Sequence, residues 1–275
     1  MKVAATFLML VLALSQDPAP PVVDPIHRPF DAILDVYVRD GLVYYRALRS
    51  ERGRLDRYVA SLNVAAATYE AWPREEKIAF WLNAYNAIVL QTVINHYPIR
   101  GKAGSYPASS VRQVPGAFEQ TKHRLAGRSL TLDEIEKTVL PQFKDPRLYL
   151  ALGRGAFGSG RLRSEAYVAG RLERQLGDVT SEFVNHAPML KIDRLTGQMA
   201  VTPIISWREA EFIAAYDKGE SGPFAARSPI ERAVIAFVMP HLLPMEREFV
   251  EKNEFRMVFQ PFDWRLNDLS GGRIE

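Results

Sequence analysis

The segment Glu75–His96 reads EEKIAFWLNAYNAIVLQTVINH, and its pattern decides the fold class. Pro73 stands where a missing N–H costs nothing at a helix start, and Glu75 and Glu76 suit the positive end of the helix dipole. Apolar side chains occupy nearly every face around Phe80, Trp81, Ile88, Val89 and Val93, so the spacing predicts a central helix buried all round and ended by Tyr97-Pro98. Asn83 and Asn86 interrupt it at i and i+3. Asparagine is a poor interior helix residue, so each needs a reason. With Tyr85 they either line a pocket and orient a ligand, or they satisfy buried loop backbone and pin the chain around them.

Upstream, Phe30, Ile33, Leu34, Tyr37 and Val38 recur at helical spacing until Asp40-Gly41, before a short β-like run over Leu42 to Tyr45. A second helix is expected over Glu51 to Leu62. Downstream, Lys122 to Leu130 predicts a hairpin turning at Ala126-Gly127, and Thr131 and Glu134 have capping-box spacing for a helix running to about Leu140. Arg147 to Leu152 reads as a short buried strand, Glu165 to Val184 as an amphipathic helix, and Met189 to Asp193 with Gln198 to Thr202 as a hairpin. Helices are further expected over Ile204 to Tyr216, Pro229 to Met239 and Leu242 to Glu251, with a last strand over Phe255 to Gln260. Strands come as hairpins and do not alternate regularly with helices. The pattern predicts a helix-rich α+β single domain with a small, mostly antiparallel sheet.

Before this domain, Met1-Lys2 precedes a run without charge from Val3 to Leu14, closed by Ala13-Leu14-Ser15 with small residues at −3 and −1. This three-part pattern predicts a cleavable signal peptide over 1–15, and hence a periplasmic or secreted protein. The run is too short for a membrane span. Residues 16–29, with five prolines, read as an extended linker, 30–269 as the domain and 270–275 as a tail. Removal of 1–15 lowers the formal charge from +3 to +2, which argues against nucleic acid as the partner. The chain has no cysteine, so thiol chemistry is excluded and packing alone must stabilise the fold.

Chemistry-bearing residues are sparse. Gly153, Gly155 and Gly158 have the spacing of a dinucleotide-binding loop, but Ser159-Gly160-Arg161 prolongs the loop where that motif opens a helix, and no cofactor is expected. The loop suits an anion better, with Arg154, Arg161 and Arg163 supplying charge, or it is a glycine-rich turn in close backbone contact. The five histidines are scattered without metal-ligand spacing, so no metal site is expected. Ser159 lacks the spaced glycines of a nucleophile elbow.

Phe80-Trp81-Leu82-Asn83-Ala84-Tyr85-Asn86-Ala87, Leu130 to Glu136, Asp145-Pro146-Arg147 and the closing Phe262 to Asn267 together resemble, in this order, the domain-of-unknown-function family DUF547. The resemblance spans about Phe30 to Asn267 and implies an α+β domain, often exported from bacteria, with no established activity. It also implies a departure. After Asp-Pro-Arg, members commonly carry a His and a Cys-rich segment that looks like a thiol site. Here the His position falls at Tyr149 and the two Cys positions at Arg154 and Ser159. Asn83, Tyr85, Asn86, Asp133 and Glu136 are then the retained pocket and scaffold of a divergent member.

Two functional readings follow. In the first, the domain binds a small polar or anionic ligand, or a partner, through Asn83, Tyr85, Asn86, Arg154, Ser159 and Arg161. In the second, it is a hydrolase or transferase using Ser159 or the carboxylates Asp133 and Glu136 in place of a thiol. A third, plainer reading is an envelope-associated structural protein with a large exposed apolar patch.

Overall fold

The computed structural model describes residues 25–219 and 222–270, and the expected signal segment lies outside them. The long helix is α5, the fifth of twelve among the described residues. Before it come α1 (Arg28–Tyr37), the strands β1 (Val38–Arg39) and β2 (Leu42–Val43), α2 (Tyr45–Ser50), α3 (Gly53–Ser61) and α4 (Ala66–Glu70); α5 itself is Arg74–His96. It is buried on every face from Ile78 to Leu90, as its apolar girdle requires. Helices α2 and α3 pack against it, and α1 packs on α3, with Phe30 and Tyr58 stacked at 4.9 Å.

After α5 the hairpin β3 (His123–Leu125) and β4 (Arg128–Leu130) turns at Ala126-Gly127, both at positive φ. It delivers the chain to Thr131, whose hydroxyl accepts from the Glu134 amide at 3.1 Å while the Glu134 carboxylate accepts from the Thr131 amide at 2.7 Å. This capping box opens α6 (Leu132–Glu134), which continues through a π-helical turn, Ile135–Val139, and a 3-10 turn, Leu140–Phe143. The remaining elements are α7 (Arg147–Leu150), α8 (Leu172–Asn185), β5 (Leu190–Asp193), β6 (Gln198–Val201), α9 (Pro203–Trp207), α10 (Glu209–Tyr216), α11 (Pro229–Val238), α12 (Pro244–Glu251) and β7 (Arg256–Phe259).

The fold is helix-rich α+β, as expected, but its strands form three separate pieces. The pairs β1–β2 and β3–β4 are antiparallel, and in β5–β6–β7 the last strand runs parallel to β6. Four local expectations are corrected. The apolar run over 147–152 is a helical turn, because Asp145 accepts the Arg147 amide at 3.1 Å and starts a helix that a run of buried side chains cannot distinguish from a strand. The helix expected from Glu165 begins at Leu172, since Ala166 to Val168 are bonded instead to side chains of other elements. The helix expected over 204–216 breaks at Arg208, which leaves helical geometry with φ −125° and ψ 34°. The first helix starts at Arg28, with Pro29 in its first turn, where its missing donor does no harm.

Two glycines report on opposite constraints. A Cβ on Gly160 would lie 1.7 Å from the Leu150 carbonyl oxygen, whereas one on Gly177, inside α8, would meet nothing within 4 Å. Gly177→Ala is therefore expected to stabilise the protein by about 0.5–1 kcal/mol, the ordinary helix-propensity gain. Gly160→Ala, which must displace backbone, is expected to destabilise it in the same urea-unfolding series.

Candidate functional site

The loop between α7 and α8 holds no regular structure beyond a 3-10 turn at Ala169–Arg171, so its backbone groups need partners from elsewhere. Side-chain amides supply them. Asn86 accepts from the Gly153 amide at 2.7 Å and donates to the Ala151 carbonyl at 3.3 Å. One turn earlier on α5, Asn83 accepts from the Tyr167 amide at 2.9 Å and donates to its carbonyl at 2.8 Å. Gln175 on α8 repeats the device, taking the Val168 amide at 2.9 Å and the Ala166 carbonyl at 2.8 Å. Both ends of the loop are thus fastened by primary amides, which can donate and accept at once.

Within the clamped loop the Arg154 amide donates to Ser159 Oγ at 2.9 Å, and the Arg154 side chain turns inward to the Tyr149 carbonyl at 3.2 Å and Glu136 at 2.8 Å. Glu136 rides on the π-helical turn, a distortion that often re-aims side chains at functional sites. Its Oε1 also accepts from Arg208 at 3.0 Å, and its Oε2 from the Tyr85 hydroxyl at 3.2 Å. Burial alone would raise the Glu136 pKa, but the charges and hydrogen bonds of Arg154 and Arg208 outweigh it and hold the carboxyl at about 2. Tyr85 is pushed the other way, first by burial and then by the Glu136 charge, so its hydroxyl stays protonated and donates.

Above this cluster opens a cleft of about 350 Å³. Glu136, Arg154, Tyr85 and Arg208 form its base, Asp133–Lys137 and Arg112–Glu119 are ion pairs on its sides, and Phe118, Trp207 and Trp264 are its apolar wall. Four cations and three carboxylates line it, so the wall carries one surplus positive charge. The Arg112 guanidinium lies 4.8 Å from the Phe118 ring centre and 4.9 Å from that of Trp264. Arg208 sits 4.7 Å from the Tyr149 ring, and its Nη1 lies 4.0 Å from Glu211. The buried Nε of Arg112 and of Arg208 has no acceptor among the described residues, so both groups retain donor capacity that the protein itself does not use.

The residues singled out from sequence therefore divide. Tyr85, Asp133, Glu136 and Arg154 meet at the cleft. Asn83 and Asn86 lie behind it, occupied with backbone. Ser159 is buried against the Arg154 amide, and among the described residues no histidine bonds to it. Arg161 is elsewhere, paired with Asp40 beside a different cavity lined by Phe183, His186 and Met189. Arg112, Arg208, Trp207 and Trp264 were not legible as site residues, although the repeated Trp-Arg dipeptide at 207–208 and 264–265 is a signal in the sequence. Among the described residues no group of three or more His, Asp or Glu is placed to hold a metal ion, and no helix is long and apolar enough to cross a membrane.

Residues 69–184 match the family model described as Protein of unknown function, DUF547. No curated protein and no solved structure shows significant similarity to the chain. The DUF547 match takes in α5, the capping segment, Asp145-Pro146-Arg147 and the glycine-rich loop, whereas the Phe262 to Asn267 segment lies outside it. That segment nonetheless packs on the glycine-rich loop of the matched span: the Phe157 amide donates to the Arg265 carbonyl at 2.9 Å and the Gly158 amide to the Asp263 carbonyl at 2.8 Å. The three positions at which the resemblance implies His and Cys in relatives adjoin one another here, with Tyr149 and Ser159 both bonded to Arg154.

Glu136→Gln leaves two guanidinium groups sharing no carboxylate, and loss of one partner from a buried pair is expected to destabilise the domain by about 3–5 kcal/mol near neutrality. Glu136 falls from 4.5 unfolded to about 2 folded, so its contribution is complete above the first value and is lost as pH falls towards the second. Urea unfolding of both proteins across that range should show the difference between them shrinking as pH falls; a constant difference would contradict the assignment.

Proposed function

We propose that this DUF547 domain is a receptor for a small anionic ligand, bound at the Arg208 and Arg112 cleft without thiol chemistry, and that it works outside the cytoplasm. The observation that carries this reading is a single carboxylate, Glu136, shared by two guanidinium groups at the base of a cleft with a net positive wall. Arg154 is spent on Glu136 and on backbone carbonyls, so it fixes the potential of the site and leaves Arg208 to meet the ligand. An arginine fork is suited to a planar anion, and the aromatic wall excludes water around it.

No geometric feature favours the hydrolase or transferase alternative. Ser159 has an amide as its partner, Asp133 is tied to Lys137, and a carboxyl held near 2 is a fixed negative charge that exchanges no proton near neutrality. Thermal unfolding of the full mature chain with millimolar acetate, benzoate, citrate and phosphate tests the receptor reading. At least one anion is expected to raise the melting temperature, Arg208→Ala is expected to abolish the rise, and Arg161→Ala is expected to keep it. The opposite pattern between the two variants would place the ligand at the Asp40–Arg161 cavity. The compartment has its own check: sequencing of the mature N-terminus should begin at Gln16, and an intact Met1 would overturn cleavage after Ser15.

A further inference from the structure

Resting on the anion-receptor reading, we infer that the cleft takes an aromatic monocarboxylate: one carboxylate on a flat body of one or two rings, with few or no hydroxyl groups. Three observations select this class over the other small anions.

The first excludes a phosphate cradle. A glycine-rich loop binds phosphate by converging free backbone amides on it. Of this loop only Arg154 lines the cleft, and five of the loop's amides, its own included, are already taken. Gly153 N–H goes to Asn86, Arg154 N–H to Ser159, Phe157 N–H to Arg265, Gly158 N–H to Asp263 and Ser159 N–H to Ala156. The anion must therefore be met by side chains, and the available ones are guanidinium groups, whose planar fork matches a carboxylate.

The second disfavours a polyhydroxylated body. A sugar acid needs acceptors for its hydroxyl protons, and the acceptors of this cleft are its carboxylates. Glu119 is paired with Arg112, Asp133 with Lys137, and Glu136 with Arg154, Arg208 and Tyr85. A ligand hydroxyl would have to share a carboxylate that already serves a cation, and each further hydroxyl finds fewer free lone pairs.

The third is the wall itself. Trp207 is 45% exposed although it touches Phe262 at 5.1 Å between ring centres and lies within 17° of parallel to Trp264 at 6.4 Å. Phe118 adds a further ring at 6.5 Å from Trp264. An aromatic body gains from such rings by offset or edge contact, with no hydrogen bond required. A volume of about 350 Å³ is at the small end of ligand sites, in keeping with one or two rings.

Titration of the full mature chain, followed by intrinsic tryptophan fluorescence and by calorimetry, separates the classes. The probes are benzoate, indole-3-acetate, cyclohexanecarboxylate, galacturonate, benzyl alcohol and inorganic phosphate. Benzoate or indole-3-acetate should bind about 3- to 10-fold tighter than cyclohexanecarboxylate, the increment that ring contacts supply. Benzyl alcohol should bind most weakly. Trp207→Leu should erase the aromatic preference while leaving cyclohexanecarboxylate binding in place, and Arg208→Lys, which keeps the charge but loses the fork, should weaken every carboxylate. Galacturonate, phosphate or cyclohexanecarboxylate binding as well as benzoate, with sensitivity to Arg208→Lys, would overturn the aromatic class and leave the receptor standing. Binding of none of the anions, or binding indifferent to Arg208, would overturn both.

Discussion

The arrangement of this domain depends on two asparagine amides projecting from the buried helix α5 into a loop that has no secondary structure to satisfy it. Asn86 grips the loop where it leaves α7 and Asn83 grips it where it approaches α8. Each amide closes a two-bond ring with backbone, the pairing a neighbouring strand would otherwise supply. Side-chain pairing has a consequence that strand pairing lacks. Between its anchor points the loop is free to curl, and it does so around the Arg154 amide and Ser159 Oγ, which turns the Arg154 guanidinium inward to Glu136. The π-helical turn that presents Glu136 and the helix α5 that presents Tyr85 complete a cluster drawn from three elements whose relative placement the asparagines hold.

The electrostatics of that cluster follow from its stoichiometry. A buried guanidinium is tolerated only with an acceptor for its charge, and Arg154 has Glu136. Arg208 then arrives on the same carboxylate oxygen, with Glu211 only at 4.0 Å as a further acidic neighbour. One carboxylate close to two cations is strongly ionised, but it neutralises only one of them. The remainder is expressed at the cleft, beside Arg112 and under rings that keep the local dielectric low. The same geometry explains why Glu136 is poorly suited to acid or base work: the forces that make it an anchor also remove it from the range in which a catalytic carboxyl exchanges protons.

Much of the fold can be read from local signals, because those signals act over a few residues. The turn at Ala126-Gly127, the capping box at Thr131 and Glu134, and the apolar girdle of α5 each specify their own conformation. The segment 147–152 misleads for the same reason: buried Leu148, Tyr149 and Leu150 fit a strand or a helix, and the Asp145 side chain that decides between them acts through one hydrogen bond. The site is legible only in part. Glu136 is legible only through the family resemblance, Arg154 stands out as a charge in a glycine-rich loop, and Asn83 and Asn86 stand out as amides inside a helix. That both amides face backbone and neither faces the cleft depends on the path of a loop more than 60 residues away in sequence, and no local pattern encodes it.

The distribution of the cleft along the chain bears on what a DUF547 match can convey. Tyr85, Arg112, Phe118, Asp133, Glu136, Lys137 and Arg154 fall inside residues 69–184, and they include the anchored carboxylate and its buried partner. Trp207, Arg208 and Trp264 fall outside it. Glu136, Arg154 and Tyr85 at the base of the site therefore lie within the matched span, while Trp207 and Arg208 come from the end of α9 and the break that follows it, and Trp264 from a segment that packs across the glycine-rich loop. Fold and site are thus separable here, since recognition resides in the groups grafted onto a fold more than in the fold. Trp207, Arg208 and Trp264 are the lining groups that a match limited to 69–184 does not reach, so it conveys the anchored charge and not the wall around it.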